Sequence, residues 1–145
     1  MELELSLERL LPHRPPALFV TAVSEDSDDA VTCFGQIPSG HPSVCNGFAP
    51  STMAVEMAAQ VAGVLMGIRH LSKDPGSLLP RLGYLVSVRD MKIGVMAVPA
   101  DHPLQVRVTL TATFGAMAMF FVRVDLDKDL VVEGHLGVAA PWPAE

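Results

Sequence analysis

The segment from Ser51 to about His70, STMAVEMAAQVAGVLMGIRH, constrains the fold more than any other. It is rich in Ala, Met and Leu, lacks Pro, and makes a helix of about 30 Å at 1.5 Å per residue. Its apolar residues occupy nearly every face, whereas a surface helix keeps a polar side. Such a helix must be wrapped. A membrane span does not explain it, because the apolar stretch from Met53 to Ile68 contains Glu56 and Gln60 and falls short of about 20 apolar residues. Gly63 and Gly67 stand one turn apart, each costing about 1 kcal/mol of helix propensity relative to Ala, so another element must approach closely there. A sheet is the expected neighbour. No second long helix is available, and a lone apolar helix hides all its faces only inside a curled sheet, which makes the chain α+β.

The remaining segments supply that sheet. Leu5 to Leu11 gives one or two helical turns, closed by Pro12, Pro15 and Pro16. Ala17 to Val23 and Ala30 to Ile37 read as two strands of a hairpin, joined by the acidic turn SEDSDD. Residues 38 to 50, PSGHPSVCNGFAP, have loop composition, as does 74 to 81. Leu82 to Val98 is a long strand with room for one bend. In Leu104 to Phe114 the apolar residues Leu104, Val106, Val108, Leu110, Ala112 and Phe114 alternate with polar ones, the mark of one buried face. Met117 to Leu126 and Leu130 to Ala140 complete an antiparallel meander, within a curved sheet of about five to six strands in all.

Composition sets the class. With 145 residues, 50% of them hydrophobic, and a net charge of -6, the chain is expected to be one acidic globular domain spanning 1-145. A domain near this size buries roughly 70% of its unfolded surface, enough for a core and a cleft. Two Cys make no disulfide scaffold and the amino terminus resembles no signal peptide, so a cytoplasmic location is expected. The shortage of Lys and Arg excludes a general nucleic-acid binder. Arg69, Lys73, Arg81, Arg89 and Lys92 nevertheless oppose only Asp74 and Asp90, a stretch that is either a solvated edge or a dock for an acidic partner.

Glu56 is the most informative single residue. Its neighbours are apolar and it sits in the second turn of the long helix, so it faces a cleft or meets a specific partner, beyond any interaction with the helix dipole. Gln60 shares its face. His41 lies in the loop before the helix, and an imidazole with a carboxyl near one helix start makes an acid/base pair. Cys33, His41 and Cys45 lack the paired spacing of a zinc site, and Cys45 reads as a loop residue rather than a nucleophile. His13, between prolines, reads as a local hydrogen-bonding residue. His70, His102 and His135 have no evident partner. Met53, Met57 and Met66 are core filler or the lining of an acyl slot.

Taken together these residues resemble the β-hydroxyacyl-acyl-carrier-protein dehydratases of the hot-dog fold, in particular the branch associated with aryl-polyene-type gene clusters. The resemblance covers nearly the whole chain. Leu10-Leu11-Pro12-His13-Arg14 with Ala17-Leu18-Phe19-Val20 is similar to the family's opening. Gly40-His41-Pro42 resembles its catalytic-His loop, Pro50 with Glu56-Met57-Ala58-Ala59-Gln60 its Pro and helix motif, and Val98-Pro99-Ala100-Asp101 with Leu104 its later turn.

The resemblance implies one helix wrapped by an antiparallel sheet, dimerised edge to edge, with His41 of one subunit facing Glu56 of the other. His41 then removes the α-proton of a 3-hydroxyacyl thioester and Glu56 serves the departing hydroxyl, in fatty-acid or aryl-polyene-type biosynthesis. Gly47, Pro50, Ser51 and Gln60 are the expected substrate-binding positions, with backbone N–H groups at the helix start polarising the thioester carbonyl. No metal or redox cofactor is implied. The implied partners are acyl carrier protein or a coenzyme A thioester, and a second hot-dog chain as homodimer or heterodimer. Neither membrane nor nucleic acid is expected. His41 lies one residue further from Glu56 than in typical members, which keeps two other readings in play: a weakly catalytic partner or acyl-binding subunit, and an acyl thioesterase.

Overall fold

The computed structural model describes residues 7–76 and 83–139. The elements are α1 (Leu7–Leu10), β1 (Val20–Asp26), β2 (Ala30–Gly35), β3 (Phe48–Pro50), α2 (Met53–Lys73), β4 (Tyr84–Ile93), β5 (Ala97–Pro99), β6 (Leu104–Phe114), β7 (Met117–Leu126) and β8 (Asp129–Ala139). Six strands form one antiparallel sheet in the order β1-β2-β6-β7-β8-β4, and β3 pairs with β5 in a separate short ribbon. One helix against one large antiparallel sheet is the expected hot-dog arrangement.

Period-two patterning builds the core. Leu104, Val106 and Val108 on β6 and Ala118, Phe120, Val122 and Val124 on β7 turn inward, and α2 seats Met57, Val61, Val64 and Leu65 on them without exposure. The strand of residues 104 to 114 has the expected limits, but its alternation does not keep one face buried to the end. A bulge between Leu110 and Ala112 re-aims the tip, and Phe114 stands 67% exposed.

Other expectations are corrected in detail. The expected strand at Ala17 to Val23 starts at Val20 instead, because the backbone at Ala17 and Phe19 is bonded to a helix side chain, and it continues to Asp26 through half of the acidic string. The acidic residues are tolerated there because β1 is a sheet edge. The expected single bent strand from 82 to 98 is two strands in different sheets; Leu82 itself, most of the 74 to 81 loop and Ala140 lie outside the described residues. Gly63 and Gly67 do make room for a close neighbour, but it is the end of α1 and the residue after it rather than the sheet. A Cβ on Gly63 would stand 2.9 Å from Leu11 Cδ2, and one on Gly67 2.9 Å from Leu10 Cδ2. Arg69 is not free for a docking patch: it bonds the Asp28 carbonyl and, at 3.0 Å, the Asp29 carboxylate. Arg81, also counted in that stretch, lies outside the described residues.

Helix α2 is therefore covered unequally. Its sheet side is sealed, whereas Glu56, Ala59, Gly63 and Met66, at spacings of three and four residues, form a half-buried stripe. Among the described residues, α1 and the following loop shield it on one side.

Candidate active site

That stripe is the floor of a groove with about 790 Å³ of empty space, part of it open to solvent. Leu10, Leu11, Pro12 and His13 form one wall, and Gly83, Leu85 and Val138, at the β4 edge of the sheet, form the other. Its lining is apolar apart from His13, Glu56 and Gln60, the composition of a site that holds a mostly hydrophobic ligand and orients it with a few polar groups.

Glu56 keeps 45% of its side-chain surface accessible, and its Oε1 lies 3.6 Å from His13 Nε2. It is thus a groove residue, as the sequence led one to expect of a carboxylate on an apolar helix. His13, read from the sequence as a local hydrogen-bonding residue, is the group that faces it. The Nδ1 atom of His13 is buried and has no hydrogen-bond partner. His13 thus turns Nε2 toward Glu56, at a separation that is a close electrostatic contact rather than a hydrogen bond. Nothing in the sequence beyond its place in the opening motif marked this role, since the contact spans 43 positions of chain.

Gln60 has a structural task. Its Oε1 accepts the Phe19 N–H at 2.8 Å and its Nε2 donates to the Ala17 carbonyl at 2.7 Å, so a buried amide fastens the start of β1 to the helix. Ser51, also buried, donates its backbone N–H to the Met96 carbonyl at 3.1 Å, so that N–H is already engaged rather than free to polarise a substrate carbonyl. Pro50 ends β3, exposed, opposite Ala97. Gly47 has φ +82° and follows Asn46 at φ 53°, and Cys45 and Phe48 exchange backbone hydrogen bonds across them. This is an Asn-Gly turn of the type that needs positive φ at both central residues.

The Val98–Asp101 turn holds the His41 loop in place. Asp101 donates its backbone N–H to the Ile37 carbonyl at 2.8 Å and accepts the Ser39 N–H at 2.9 Å, while Ala100 N–H reaches the Gly47 carbonyl at 2.8 Å. His41 packs edge-on against Phe19 at a centroid separation of 5.1 Å. Its Nδ1 lies 2.8 Å from Ser43 Oγ and 3.1 Å from the Ser43 backbone nitrogen. Within one chain, no described hydrogen bond or ion pair joins His41 to Glu56, and His41 does not line the groove. No group of three or more His, Cys, Asp or Glu side chains suited to a metal ion lies among the described residues, nor is any described helix long and apolar enough to cross a membrane.

The family model of the ApeP-like dehydratases (ApeP dehydratase) matches residues 5–145. The chain belongs to this family. Its members are dehydratases, so the chain is a hydro-lyase, with the hot-dog fold expected of one. Among curated proteins, the 3-hydroxyacyl-(acyl-carrier-protein) dehydratase FabZ of Streptococcus pyogenes is 30% identical over 142 residues, covering 92% of this chain and 94% of FabZ. Among solved structures, the dehydratase heterocomplex ApeI:P of Xenorhabdus doucetiae superposes with a TM-score of 0.83 at 25% identity, over 96% of this ApeP-like chain and 93% of its own. A hypothetical thioesterase with coenzyme A from Streptococcus pneumoniae, at 12% identity and a TM-score of 0.58, shares the fold alone.

Proposed function

We propose that this ApeP-like dehydratase eliminates water from a 3-hydroxyacyl thioester carried on acyl carrier protein, giving the trans-2-enoyl thioester. The observation that carries this reading is the placement of Glu56, an accessible carboxylate on an apolar helix stripe, in a groove whose other ionisable lining group is His13. The acyl chain lies along Leu10, Leu11, Met66 and Leu85, and the thioester end approaches Glu56. The FabZ relatives act, by name, on the same class of thioester.

In this mechanism His41 takes the α-proton, the resulting enolate pushes out the 3-hydroxyl, and Glu56 delivers a proton to it so that it leaves as water. His13 stands beside Oε1 of that carboxyl, at 3.6 Å, and leaves Oε2 to carry the proton. Because His41 stands off the groove of its own chain, it serves the groove of a second hot-dog chain joined along β4. The support is the character of that edge: Tyr84, Val86, Val88 and Ile93 are all exposed on a strand paired on one side only. Arg89 and Lys92 at the same edge suit an acidic carrier protein.

A heteromeric complex is the second reading, favoured by the likeness to a dehydratase heterocomplex. Purified chain is incubated with 3-hydroxyacyl thioesters while enoyl absorbance and free thiol are followed. Enoyl formation lost in both His41→Ala and Glu56→Gln supports the proposal, and wild-type turnover in either variant sinks the dyad. Activity only on adding a second hot-dog protein gives the partner-subunit reading, and release of thiol without enoyl gives a thioesterase.

A further inference from the structure

We propose that Ser43 is a positioning residue for His41, controlling which ring nitrogen holds the proton. The inference rests on the assignment of His41 as the base. Two groups of one serine converge on a single nitrogen: the Ser43 backbone N–H points at His41 Nδ1 from 3.1 Å, and the Ser43 hydroxyl oxygen lies 2.8 Å from the same atom. The N–H can only donate, so by itself it favours a bare Nδ1 and the neutral ring's proton on Nε2. A ring in that state has no lone pair on Nε2 with which to take a substrate proton.

The hydroxyl removes this conflict. By rotating its hydrogen it donates to a bare Nδ1 or accepts from a protonated one. When the proton sits on Nδ1, the Ser43 N–H gives up that acceptor, Ser43 Oγ accepts the Nδ1–H, and Nε2 is free to act as base. When Nε2 has taken the α-proton and the ring is an imidazolium, the same oxygen holds the Nδ1–H. Ser43 thus supplies the third, orienting group that an imidazole base needs, from two residues along its own loop rather than from a distant carboxylate. The loop is stiff enough for this. His41 N–H bonds the Pro38 carbonyl at 2.9 Å, Val44 N–H bonds the His41 carbonyl at 3.0 Å, and Phe19 flanks the ring.

The test combines kinetics with ring-nitrogen NMR on the full chain, together with its hot-dog partner if turnover requires one. In Ser43→Ala only the N–H donor faces Nδ1. The fraction of neutral His41 protonated on Nδ1 is expected to fall several-fold, and kcat by about 10- to 100-fold with KM within about twofold. Ser43→Thr, which keeps the hydroxyl, is expected to restore both readouts. The same thermal midpoint in all three proteins excludes a folding effect. An unchanged tautomer ratio in Ser43→Ala overturns the proposal, as does a shifted ratio with unchanged kcat. If His41→Ala retains full turnover, it is the assignment of the base that fails, and the tautomer ratio still decides whether Ser43 orients the ring.

Discussion

The two edges of the main sheet are built in opposite ways. At one end β1 exposes Thr21, Ser24, Glu25 and Asp26, polar and acidic groups that discourage another strand from adding on. At the other end β4 exposes Tyr84, Leu85, Val86, Val88 and Ile93. An apolar edge of this length invites aggregation unless something covers it. The groove and Glu56 lie beside β4, not β1, so the uncovered stripe of α2 and the uncovered edge of the sheet are neighbours. On the proposed function, the helix is apolar all round because both of its sides are buried in the working enzyme, one by its own sheet and the other by acyl chain and partner chain.

The largest effect on the β4 side is expected from Glu56→Gln. It should lower kcat by about 10²- to 10⁴-fold, as loss of a general acid does, while mass and thermal midpoint stay as they were; near-normal turnover would remove the acid from the site. Next comes the edge itself. Val86→Asp with Val88→Asp places two charges on the exposed apolar edge of β4 and is expected to give folded monomers by light scattering, with turnover down about 100-fold because the second chain's His41 is missing. Monomers working at full rate would show that β4 does not complete the site. The converse change at β1, Glu25→Val with Asp26→Val, should leave turnover intact and promote association.

Gln60→Leu probes the sealed interior beside the groove. It strands the Phe19 N–H and Ala17 carbonyl and is expected to cost about 1–3 kcal/mol in urea unfolding. His13→Ala is expected to lower kcat by about tenfold through misplacement of Glu56, with little change in stability. The smallest contrast concerns the thiols. Burial pushes Cys33 up to about 12, so it stays a neutral, unreactive thiol at neutral pH, whereas Cys45 is exposed. An Ellman titration should count one fast thiol in the native chain and two after denaturation.

What the sequence disclosed follows the range of the interactions involved. Helix α2 and strands β6, β7 and β8 came out with nearly their observed limits, because periodicity and turn residues act within a few positions. Glu56 was legible for a similar reason: a lone carboxylate among apolar helix neighbours is a local anomaly. The early start assigned to β1 failed because a glutamine some 40 residues away holds the backbone at Ala17 and Phe19. The partner of Gly63 and Gly67 was misassigned because spacing shows that something approaches but not what. His13 was missed as a groove residue because its meeting with Glu56 depends on how α1 lies across the helix. Ser43 stood only two residues from His41, yet no pattern marked that both its backbone and side chain would converge on one ring nitrogen.

Subunit complementation tests the central claim, a site shared between chains, most directly. His41→Ala and Glu56→Gln chains, each inactive alone, are mixed, unfolded together and refolded. If each site takes His41 from one chain and Glu56 from the other, a mixed dimer has one site with both groups intact, and about one quarter of wild-type enoyl-forming activity should return. No recovery from a mixture shown to contain mixed dimers would contradict the account.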